Sequence, residues 1–399
     1  MKYTLYHKIF PVIEFELNGD GYVTKIYEIK NPAHIPVQFL ENGKIPEHDD
    51  YYVLYDKILR WMLERGIPSS RKNLKSVLSI LEVNSSDELA KRSFYLSLSD
   101  QYWCAPSEYN LNWKEINFFT NNFSDDIGAL LLDRKPNRYS VDRYHSPNNT
   151  SQGNLSKKWV IRNNKRIMVK GGSGTEQLEP LNEVLASEIF SRLGMNHVHY
   201  DFKPRDRKHF CICENFVTKD TELITAYELC ADKASGWNDE ISLADIEDRC
   251  RMYEIPFSMI DFGKMFAVDF LIANTDRHTN NFGFIRNANT LEWIGLAPVF
   301  DSGTCMFMEK QYFELERNGM DSRFINSKPF VANQLEQLKL FPLDEISKTL
   351  DLSKLDGIGD YYKNLLNQNK RELDSRKIEA LSSVLDERVK ELKRILRQN

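Results

Sequence analysis

The feature that most constrains this chain is a long apolar segment that runs directly into a dense polar cluster. Residues 257–274 carry apolar side chains at helical spacing, and residues 274–281 then read Asn-Thr-Asp-Arg-His-Thr-Asn-Asn. A predicted strand pair follows, and a further apolar run ends in Asp301-Ser302-Gly303. A buried helix fixes the backbone of the loop that follows it, while the polar side chains of that loop reach solvent. This order predicts a functional loop at 274–281.

The spacing inside this loop indicates a specific chemistry. Asp276 and Asn281 lie five positions apart, as do the catalytic Asp and the metal-binding Asn of the kinase loop H-R-D-x-x-x-x-N. The spacing alone is a weak signal, but kinases also place a second acid after a strand pair and use it with the Asn to hold Mg²⁺. We therefore predict Asp276 as the catalytic residue and Asn281 and Asp301 as Mg²⁺ ligands. The alternatives are that Asp301 only caps a turn and that His278 is a structural hydrogen-bonding residue.

A lysine and a glutamate upstream extend this pattern. The run Ile-Met-Val-Lys that ends at Lys170 has the form of the kinase V-A-I-K strand, which delivers an ammonium group to phosphate oxygens. Glu183, on the next predicted helix, is placed to pair with Lys170 across 13 positions. Two alternatives stay open: Lys170 is a surface lysine at a strand end, or Glu179 or Glu188 takes the place of Glu183.

The charge distribution favours an anionic ligand near the same lysine. From Arg134 to Lys170 the chain has ten basic residues and one acid, although its net charge is −5. Flexible backbone amides and cations together stabilise a polyphosphate, so we predict that the loop before the first strand here covers a nucleotide. The predicted nucleotide loop consists of Ser151, Gln152, Gly153 and Asn154. It has one glycine only, and a solvated face or a nucleic-acid-binding patch is the alternative for the basic stretch.

Composition excludes several classes of protein. With 41% hydrophobic and 28% charged residues, the chain has the balance of a globular protein with a packed core. No apolar run approaches the ~18 residues of a membrane span, and the first ten residues do not form a secretory signal. Six cysteines without a C-x-x-C pair suit a reduced, cytoplasmic setting. Cys211, Cys213 and His209 alternate as on one strand face, which favours a strand over a zinc site.

Length and local patterns give the domain organisation. At about 150 residues per domain, 399 residues predict two or three folded units. We divide the chain into an accessory region (1–134, a hairpin plus helices), a small lobe of strands and one helix (135–217), and a mainly helical lobe (218–399). The predicted fold class is α+β. Helices are predicted at 51–64, 85–95, 113–123, 125–132, 180–193, 242–253, 257–274 and 375–397, and strand pairs at 13–17 with 23–27, 159–162 with 166–170, 197–202 with 209–216, and 282–285 with 291–294.

The loop at 274–281, the run 298–301 and the helix containing Asn182 and Glu183 resemble HipA-like serine/threonine kinases, the toxin half of bacterial toxin-antitoxin modules. The segments 97–103 and 153–159 are similar to Gram-positive HipA-like homologues. The resemblance extends over about residues 95 to 310. It implies a bilobal protein-kinase-like fold and a partner, a helix-turn-helix antitoxin, that in turn binds DNA.

The resemblance also implies roles for individual residues. Lys170 would bind the α- and β-phosphates of ATP, Asp276 would orient the acceptor hydroxyl, and adenine would lie near Glu214 to Val217, with Phe216 beside it. In this family a serine of the nucleotide loop is autophosphorylated, and Ser151 or Thr150 is the nearest counterpart.

Three functions follow from these patterns. The first is an ATP- and Mg²⁺-dependent transfer of phosphate to a Ser or Thr hydroxyl of a protein substrate. The second is a small-molecule or lipid kinase, which would use the same residues with a different acceptor. The third is a non-catalytic nucleotide sensor or DNA-associated regulator, in which the basic stretch binds phosphate backbones.

Overall fold

The computed structural model of the protein describes residues 1–47, 50–132, 145–205, 208–234, 241–317, 321–369 and 373–398. Within these ranges, eleven strands form three antiparallel sheets. The strands are β1 (Lys2–His7), β2 (Phe10–Leu17), β3 (Val23–Ile29), β4 (Tyr102–Pro106), β5 (Lys157–Arg162), β6 (Lys165–Gly171), β7 (Asp201–Arg205), β8 (Lys208–Glu214), β9 (Thr221–Thr225), β10 (Gly283–Asn287) and β11 (Trp293–Leu296).

The helices are distributed unevenly along the chain. The α-helices are α1 (Tyr51–Glu64), α2 (Leu74–Leu81), α3 (Ser86–Arg92), α4 (Trp113–Ile116), α5 (Asp126–Leu131), α6 (Glu179–Arg192), α7 (Ala226–Leu229), α8 (Leu243–Met252), α9 (Met259–Leu271), α10 (Tyr312–Arg317), α11 (Gln334–Leu338), α12 (Leu343–Thr349), α13 (Ile358–Leu366) and α14 (Ser375–Ile395). The small β5–β8 sheet is accompanied by one helix, α6, whereas the region after β9 is mainly helical, as predicted.

The accessory region contains more sheet than the sequence indicated. The predicted hairpin is present as β2 and β3, but it belongs to a four-stranded sheet in the order β3-β2-β1-β4. The helix predicted at 51–64 is confirmed as α1, and its Leu54, Ile58 and Trp61 share a core with Phe15 of β2. The prediction of a hairpin plus helices missed β1 and β4, because β4 pairs with β1 across about 100 residues and a local pattern carries no signal for such pairing.

The small lobe is a four-stranded sheet with α6 packed against it. The strand order is β5-β6-β8-β7, so the predicted hairpin β5–β6 forms one edge and β6 lies inside the sheet. Helix α6 is buried on nearly all sides, including its polar residues Asn182 and Glu183. Burial of a charged side chain requires a partner. This helix therefore faces a polar cluster as well as an apolar core.

In the large lobe, α9 is the central helix. Phe262 and Phe266 of α9 pack against Phe282, Phe330 and Phe341 in edge-on and stacked pairs. These aromatic contacts join α9 to the strand pair that follows it and to the segments near α11. Helix α9 is therefore held from several directions, as a rigid 274–281 loop after it requires.

Several predicted boundaries were wrong. The helix predicted at 113–123 ends at Ile116, because the Asn117 side-chain oxygen accepts hydrogen bonds from the amides of Phe119 and Thr120 and closes a turn instead. The strand predicted at 197–202 begins only at Asp201, since His197 forms an isolated bridge with Val299. Strand β9 was not predicted. The boundary predicted between residues 134 and 135 lies outside the described residues, and the three-unit division stays a prediction.

The accessory region packs on the large lobe through a buried polar network. The Glu222 carboxylate of β9 binds Arg286 at 2.7 Å and His7 of β1 at 3.1 Å, and Arg286 donates to the hydroxyl of Tyr102 at 3.1 Å. Burial opposes the charge on Glu222, but Arg286 outweighs it and lowers the pKa of Glu222 to about 2. In the described part of the chain, no helix has the length and apolar character needed to cross a membrane.

Candidate functional site

Three predicted site residues meet in one buried cluster between the lobes. The Lys170 ammonium lies at the end of β6 and contacts Glu183 Oε1 at 2.7 Å and Asp301 Oδ1 at 2.7 Å. The hydroxyl of Tyr200, 3.2 Å from the same nitrogen, completes the set. Burial opposes the charge on Lys170, but the two carboxylates outweigh burial and raise its pKa well above the ordinary value. The pKa of Asp301 is held low by Lys170 despite burial.

Glu183 is fixed by the segment that carries Asp301. Its second oxygen accepts a hydrogen bond from the Ser302 amide at 3.0 Å. The neighbouring Asn182 donates to the carbonyls of Gly303 at 3.1 Å and Cys305 at 2.8 Å. A side chain at Gly303 would bring a Cβ to 3.0 Å from the Glu183 side chain, so a glycine fits this close approach. The glutamate that pairs with Lys170 is therefore Glu183, and not Glu179 or Glu188.

A buried arginine joins the 274–281 loop to the Asp301 segment. Arg277 forms a two-pronged ion pair with Asp269 of α9, at 2.8 and 3.0 Å. It also donates to the carbonyl of Asn281 at 2.8 Å, to the carbonyl of Phe300, and to the Ser302 hydroxyl at 2.7 Å. One guanidinium thus fixes the backbone positions beside both predicted metal ligands. Planar, multivalent binding of this kind is what arginine provides and lysine does not.

Asp276 is the most accessible of the predicted catalytic and metal-binding residues, since Asn281 is buried and the Asp301 side chain is less exposed. The backbone carbonyl of Asp276 accepts a hydrogen bond from the Asn281 side-chain amide at 2.9 Å, which fixes the loop internally. Its carboxylate contacts the Lys328 ammonium at 2.8 Å, and both side chains are partly exposed. His278 accepts a hydrogen bond from the amide of Asn280, and burial lowers its pKa. The interpretation of His278 as a structural residue agrees with these contacts.

The predicted nucleotide loop is held by a residue that sequence reasoning missed. Arg71, from the accessory region, donates to the carbonyls of Ser151, Gln152 and Gly153 and to the Ser151 hydroxyl. Arg71 is buried, no carboxylate of the described residues forms an ion pair with it, and burial lowers its pKa to about 10. Within the described residues, the backbone amides of positions 151–154 make no hydrogen bond. The loop therefore has its carbonyls engaged and its amides available, as an anion-binding loop requires.

A second lysine faces the cluster. Lys157 of β5 lies directly opposite Lys170 of β6 in the strand register. A Cβ placed on Gly153 would lie 2.7 Å from the Lys157 ammonium, so this cation lies against the nucleotide loop. Burial lowers the pKa of Lys157 to about 8, which Asp301 partly counteracts. Lys157 was counted in the basic stretch but not selected, although the strand register of a V-A-I-K hairpin would have identified it.

The basic stretch as a whole does not form one phosphate-facing surface. Lys158 binds Asp125, Lys165 binds Glu214, and Arg166 donates to backbone carbonyls of the accessory region. Successive strand residues point to opposite faces, which separates Lys157 from Lys158. Arg134, Lys135, Arg138 and Arg143 lie outside the described residues. Among the described members, only Lys157 and Lys170 approach the cluster.

The predicted adenine-binding segment follows β8. The Glu214 carboxylate binds Lys165 at 2.6 Å with both side chains about half exposed, so its side chain points to solvent. Phe216 stacks on Phe300 with ring centroids 5.5 Å apart, next to Asp301. An aromatic ring at this place offers a flat apolar surface beside the cluster, whereas Glu214 offers only its backbone.

The predicted metal ligands Asn281 and Asp301 each have one side-chain oxygen that suits a hard divalent cation. In the described residues, no hydrogen bond reaches Asn281 Oδ1 or Asp301 Oδ2, because Asn281 uses its amide nitrogen and Asp301 its other oxygen. No cluster of three or more His, Cys, Asp or Glu side chains that could hold a metal occurs there. Mg²⁺ is typically bound by one or two protein oxygens together with phosphates and waters. The pair therefore fits Mg²⁺ in the presence of a phosphate ligand, and does not fit a structural zinc ion.

Comparison with known proteins defines the class. Residues 149–346 match the HipA-like C-terminal domain. A curated relative, the serine/threonine-protein kinase CtkA of Helicobacter pylori, is 25% identical over 227 residues, which cover 52% of this chain and 69% of the relative. The solved structure of the Shewanella oneidensis HipA toxin, in complex with HipB and operator DNA, covers 99% of this chain and 98% of that one, with 11% identity and a TM-score of 0.53.

The structure of the H. pylori proinflammatory kinase CtkA covers 60% of this chain and 94% of that one, at 20% identity and a TM-score of 0.46. The predicted α+β, bilobal, HipA-like fold is confirmed by the HipA structure. Over residues 149–346 the chain therefore has a HipA-like C-terminal domain, and it is similar to a serine/threonine-protein kinase, as its resemblance in the 274–281 loop and the Asp301 segment implied.

Proposed function

We propose that the protein transfers the γ-phosphate of Mg²⁺-bound ATP to a Ser or Thr hydroxyl of a protein. The observation that carries this proposal is the convergence of Lys170, Glu183 and Asp301 in one cluster, with Asn281 tied to the same segment through Arg277. These residues come from both lobes and are in the order that phosphoryl transfer uses. The relative named a serine/threonine kinase supports the type of acceptor.

At the nucleotide, the chain would act by charge and position. Lys170, held by Glu183, would bind the α- and β-phosphates, and Lys157 would add a second cation. The free amides of Ser151, Gln152, Gly153 and Asn154 would bind phosphate oxygens. Phe216 would support the adenine ring beside the backbone of Glu214. Arg71 would keep the loop carbonyls turned away from the phosphates, which they would otherwise repel.

At the reacting phosphate, Asn281 and Asp301 would hold Mg²⁺, which when bound neutralises charge that develops on the phosphoryl oxygens. Asp276 would accept a hydrogen bond from the acceptor hydroxyl and orient it in line with the γ-phosphorus. Phosphoryl transfer needs little covalent help, so positioning and electrostatic stabilisation would supply most of the rate. His278, whose Nδ1 accepts from the amide of Asn280, would have a structural role in the loop.

Experiments can distinguish the two alternative functions from transfer to a protein. A small-molecule or lipid kinase would use every residue named above and differ only in its acceptor. A non-catalytic DNA-associated regulator needs a basic surface, but Lys158, Lys165 and Arg166 are engaged with other groups of the chain. Binding to DNA by the chain alone would weaken steeply with salt and would not need Mg²⁺-ATP.

The test is transfer of labelled γ-phosphate to a library of Ser- and Thr-containing peptides. Asp276→Asn and Asp301→Asn should each reduce transfer by about 10² to 10⁴-fold, the range for loss of a general base or of a key electrostatic contact. Asp248→Asn, which alters an exposed ion pair on α8, is the matched control and should retain full activity. Normal transfer in both site variants would overturn the proposal, and transfer to lipids or small molecules alone would favour the second function.

The proposal includes phosphorylation of the chain's own nucleotide loop, at Ser151 or Thr150. The Ser151 hydroxyl binds Arg71 and donates to the carbonyl of Asn148, while the Thr150 hydroxyl donates to the carbonyl of Leu96. Both hydroxyls are buried, so modification would require release of the loop from Arg71. Replacing Ser151 and Thr150 together by alanine should abolish labelling of this loop in a phosphopeptide map, and the single replacements identify which hydroxyl is modified. Labelling that persists elsewhere would show that the chain modifies another site.

We also propose that the chain binds an antitoxin partner. The structurally similar HipA assembles with HipB and operator DNA. We extend this to a helix-turn-helix protein that would bind the present chain and bring it to DNA. Co-expression with the product of an adjacent helix-turn-helix gene should give a stable complex on gel filtration. Separate elution of the two proteins would contradict this part of the proposal without affecting phosphate transfer.

A further inference from the structure

The segment before α11 forms a turn that is fixed by buried side-chain amides. Residues Asn326 and Asn333 pair across the turn as an isolated bridge. The Gln337 side chain, which is buried, donates to the carbonyl of Lys328 and accepts from the amide of Phe330. Both polar ends of one amide therefore hold the backbone on the two sides of Pro329, directly after Lys328.

The same turn is tied to the end of α9, from which the 274–281 loop starts. Gln334, also buried, donates to the carbonyl of Asn274 at 2.9 Å and accepts from Arg388 at 3.0 Å. Arg388, on α14, also donates to the carbonyls of Phe270 and Leu271. These contacts fix the position of the turn relative to the loop that carries Asp276.

The turn brings one cation to Asp276. The Lys328 ammonium lies 2.8 Å from Asp276 Oδ1, with side-chain exposures of 53% and 39%. An exposed ion pair contributes only about 0 to 1 kcal/mol to stability. The side-chain amides of Gln334 and Gln337 and the guanidinium of Arg388 are all buried to hold this turn. That is far more buried polar structure than so small a gain in stability requires. The contact is therefore better explained by the chemistry at Asp276 than by folding.

The other cations of the site are not available at this carboxylate. Lys170 is bound to Glu183 and Asp301, and Lys157 lies against the nucleotide loop. Among the described residues, Lys328 is the cation that contacts Asp276.

We infer that Lys328 is a catalytic residue of the transfer reaction, an inference that rests on the proposed function. Before substrate binds, Lys328 neutralises Asp276. In the transfer step, the acceptor oxygen forms a bond to the γ-phosphorus, and the bond from that phosphorus to the bridging oxygen breaks with its electron pair leaving on ADP. The hydroxyl proton passes to Asp276. Lys328 stays protonated and turns its ammonium to the γ-phosphoryl oxygens, where it offsets their charge.

Two variants and a matched control test this role. Lys328→Met should lower kcat by about 10 to 10³-fold, the cost of losing one charge-stabilising donor, and Lys328→Arg should recover part of the rate. Lys339→Met is the control, since Lys339 binds Glu336 at the same 2.8 Å and has 52% exposure. All three variants should melt at the temperature of the parent protein, because both lysines are exposed.

A further readout separates catalysis from a structural role. In calorimetry, Lys328→Met should weaken binding of Mg²⁺-ATP and leave binding of Mg²⁺-ADP unchanged. An active parent with an unchanged rate and an unchanged ratio of ATP to ADP affinity in Lys328→Met would refute this inference alone. A parent that neither binds Mg²⁺-ATP nor transfers phosphate would refute the proposed function as well.

Discussion

Replacing Lys170 by Met should destabilise the fold strongly, independently of any loss of activity. Glu183 has 3% side-chain exposure, and its partner Lys170 has 9%. Removing one member of a buried ion pair leaves the other charge uncompensated, which costs about 3 to 5 kcal/mol. At 2 to 4 °C per kcal/mol for units of 150 to 250 residues, the melting temperature should fall by roughly 6 to 20 °C.

A double-mutant cycle isolates the electrostatic part of this cost. Glu183→Gln keeps the shape of the side chain, and Lys170 retains Asp301 at 2.7 Å, so this single change should cost less, about 1 to 3 kcal/mol. Combining it with Lys170→Met removes the uncompensated charge of Glu183. The double variant should therefore be more stable than the sum of the single effects, by about 0.5 to 3 kcal/mol.

The control is another lysine on the same strand. Lys165 binds Glu214 with exposures of 59% and 52%, so Lys165→Met should change stability by no more than about 0.5 kcal/mol. Melting is followed by scanning calorimetry in the absence of nucleotide. Equal melting temperatures for Lys170→Met and Lys165→Met, or strictly additive effects in the cycle, would refute the view that Lys170 and Glu183 form a buried, mutually dependent pair.

Three further outcomes are expected. Arg71→Lys should weaken Mg²⁺-ATP binding by about tenfold in calorimetry, since one ammonium cannot replace the contacts to three carbonyls; equal affinity would separate Arg71 from nucleotide binding. Burial lowers the pKa of His34 to about 4, so stability should fall as pH drops from about 6.5 toward 4 while the unfolded chain takes up the proton, and His34→Gln should flatten that part of a melting-temperature-against-pH curve. Arg388→Met should cost about 2 to 4 kcal/mol in denaturant unfolding, because the carbonyls of Phe270 and Leu271 lose their donor; an unchanged midpoint would contradict the capping role.

The elements that the sequence predicted well are those with a complete local signal. Helix α1 has apolar residues on one face and Gly66 and Pro68 after it, and its bounds agree with the prediction. The cap of α8 is likewise present, with the Ser242 and Asp245 side chains each binding the other's backbone amide. Strands β1 and β4 escaped prediction, since their pairing depends on residues about 100 positions apart.

The same distinction applies to the site. Lys170, Glu183 and Asp301 were predicted because the residue types and their order along the chain are constrained by the chemistry of phosphate binding. Arg71 and Lys328 were missed, because they reach the site from positions about 80 residues before Ser151 and 52 after Asp276. Neither residue belongs to a local motif. Only the fold brings them to the loops that they contact.

The basic stretch shows that a count of charges along the sequence does not by itself predict a ligand site. The strand register decides which charged side chains lie on the same face of the sheet. Because successive strand residues point to opposite faces, the Lys158 side chain points away from the site. The positive charge at the cluster therefore comes from two lysines that lie opposite each other, Lys157 and Lys170. Like charges directly opposed on a sheet destabilise it unless anions lie between them. Asp301 supplies one anion, and the lowered pKa of Lys157, about 8, indicates that its charge is incompletely compensated. A polyphosphate at the nucleotide loop would supply the remaining compensation, so the charge of Lys157, which opposes folding of the empty hairpin, would favour binding of the nucleotide.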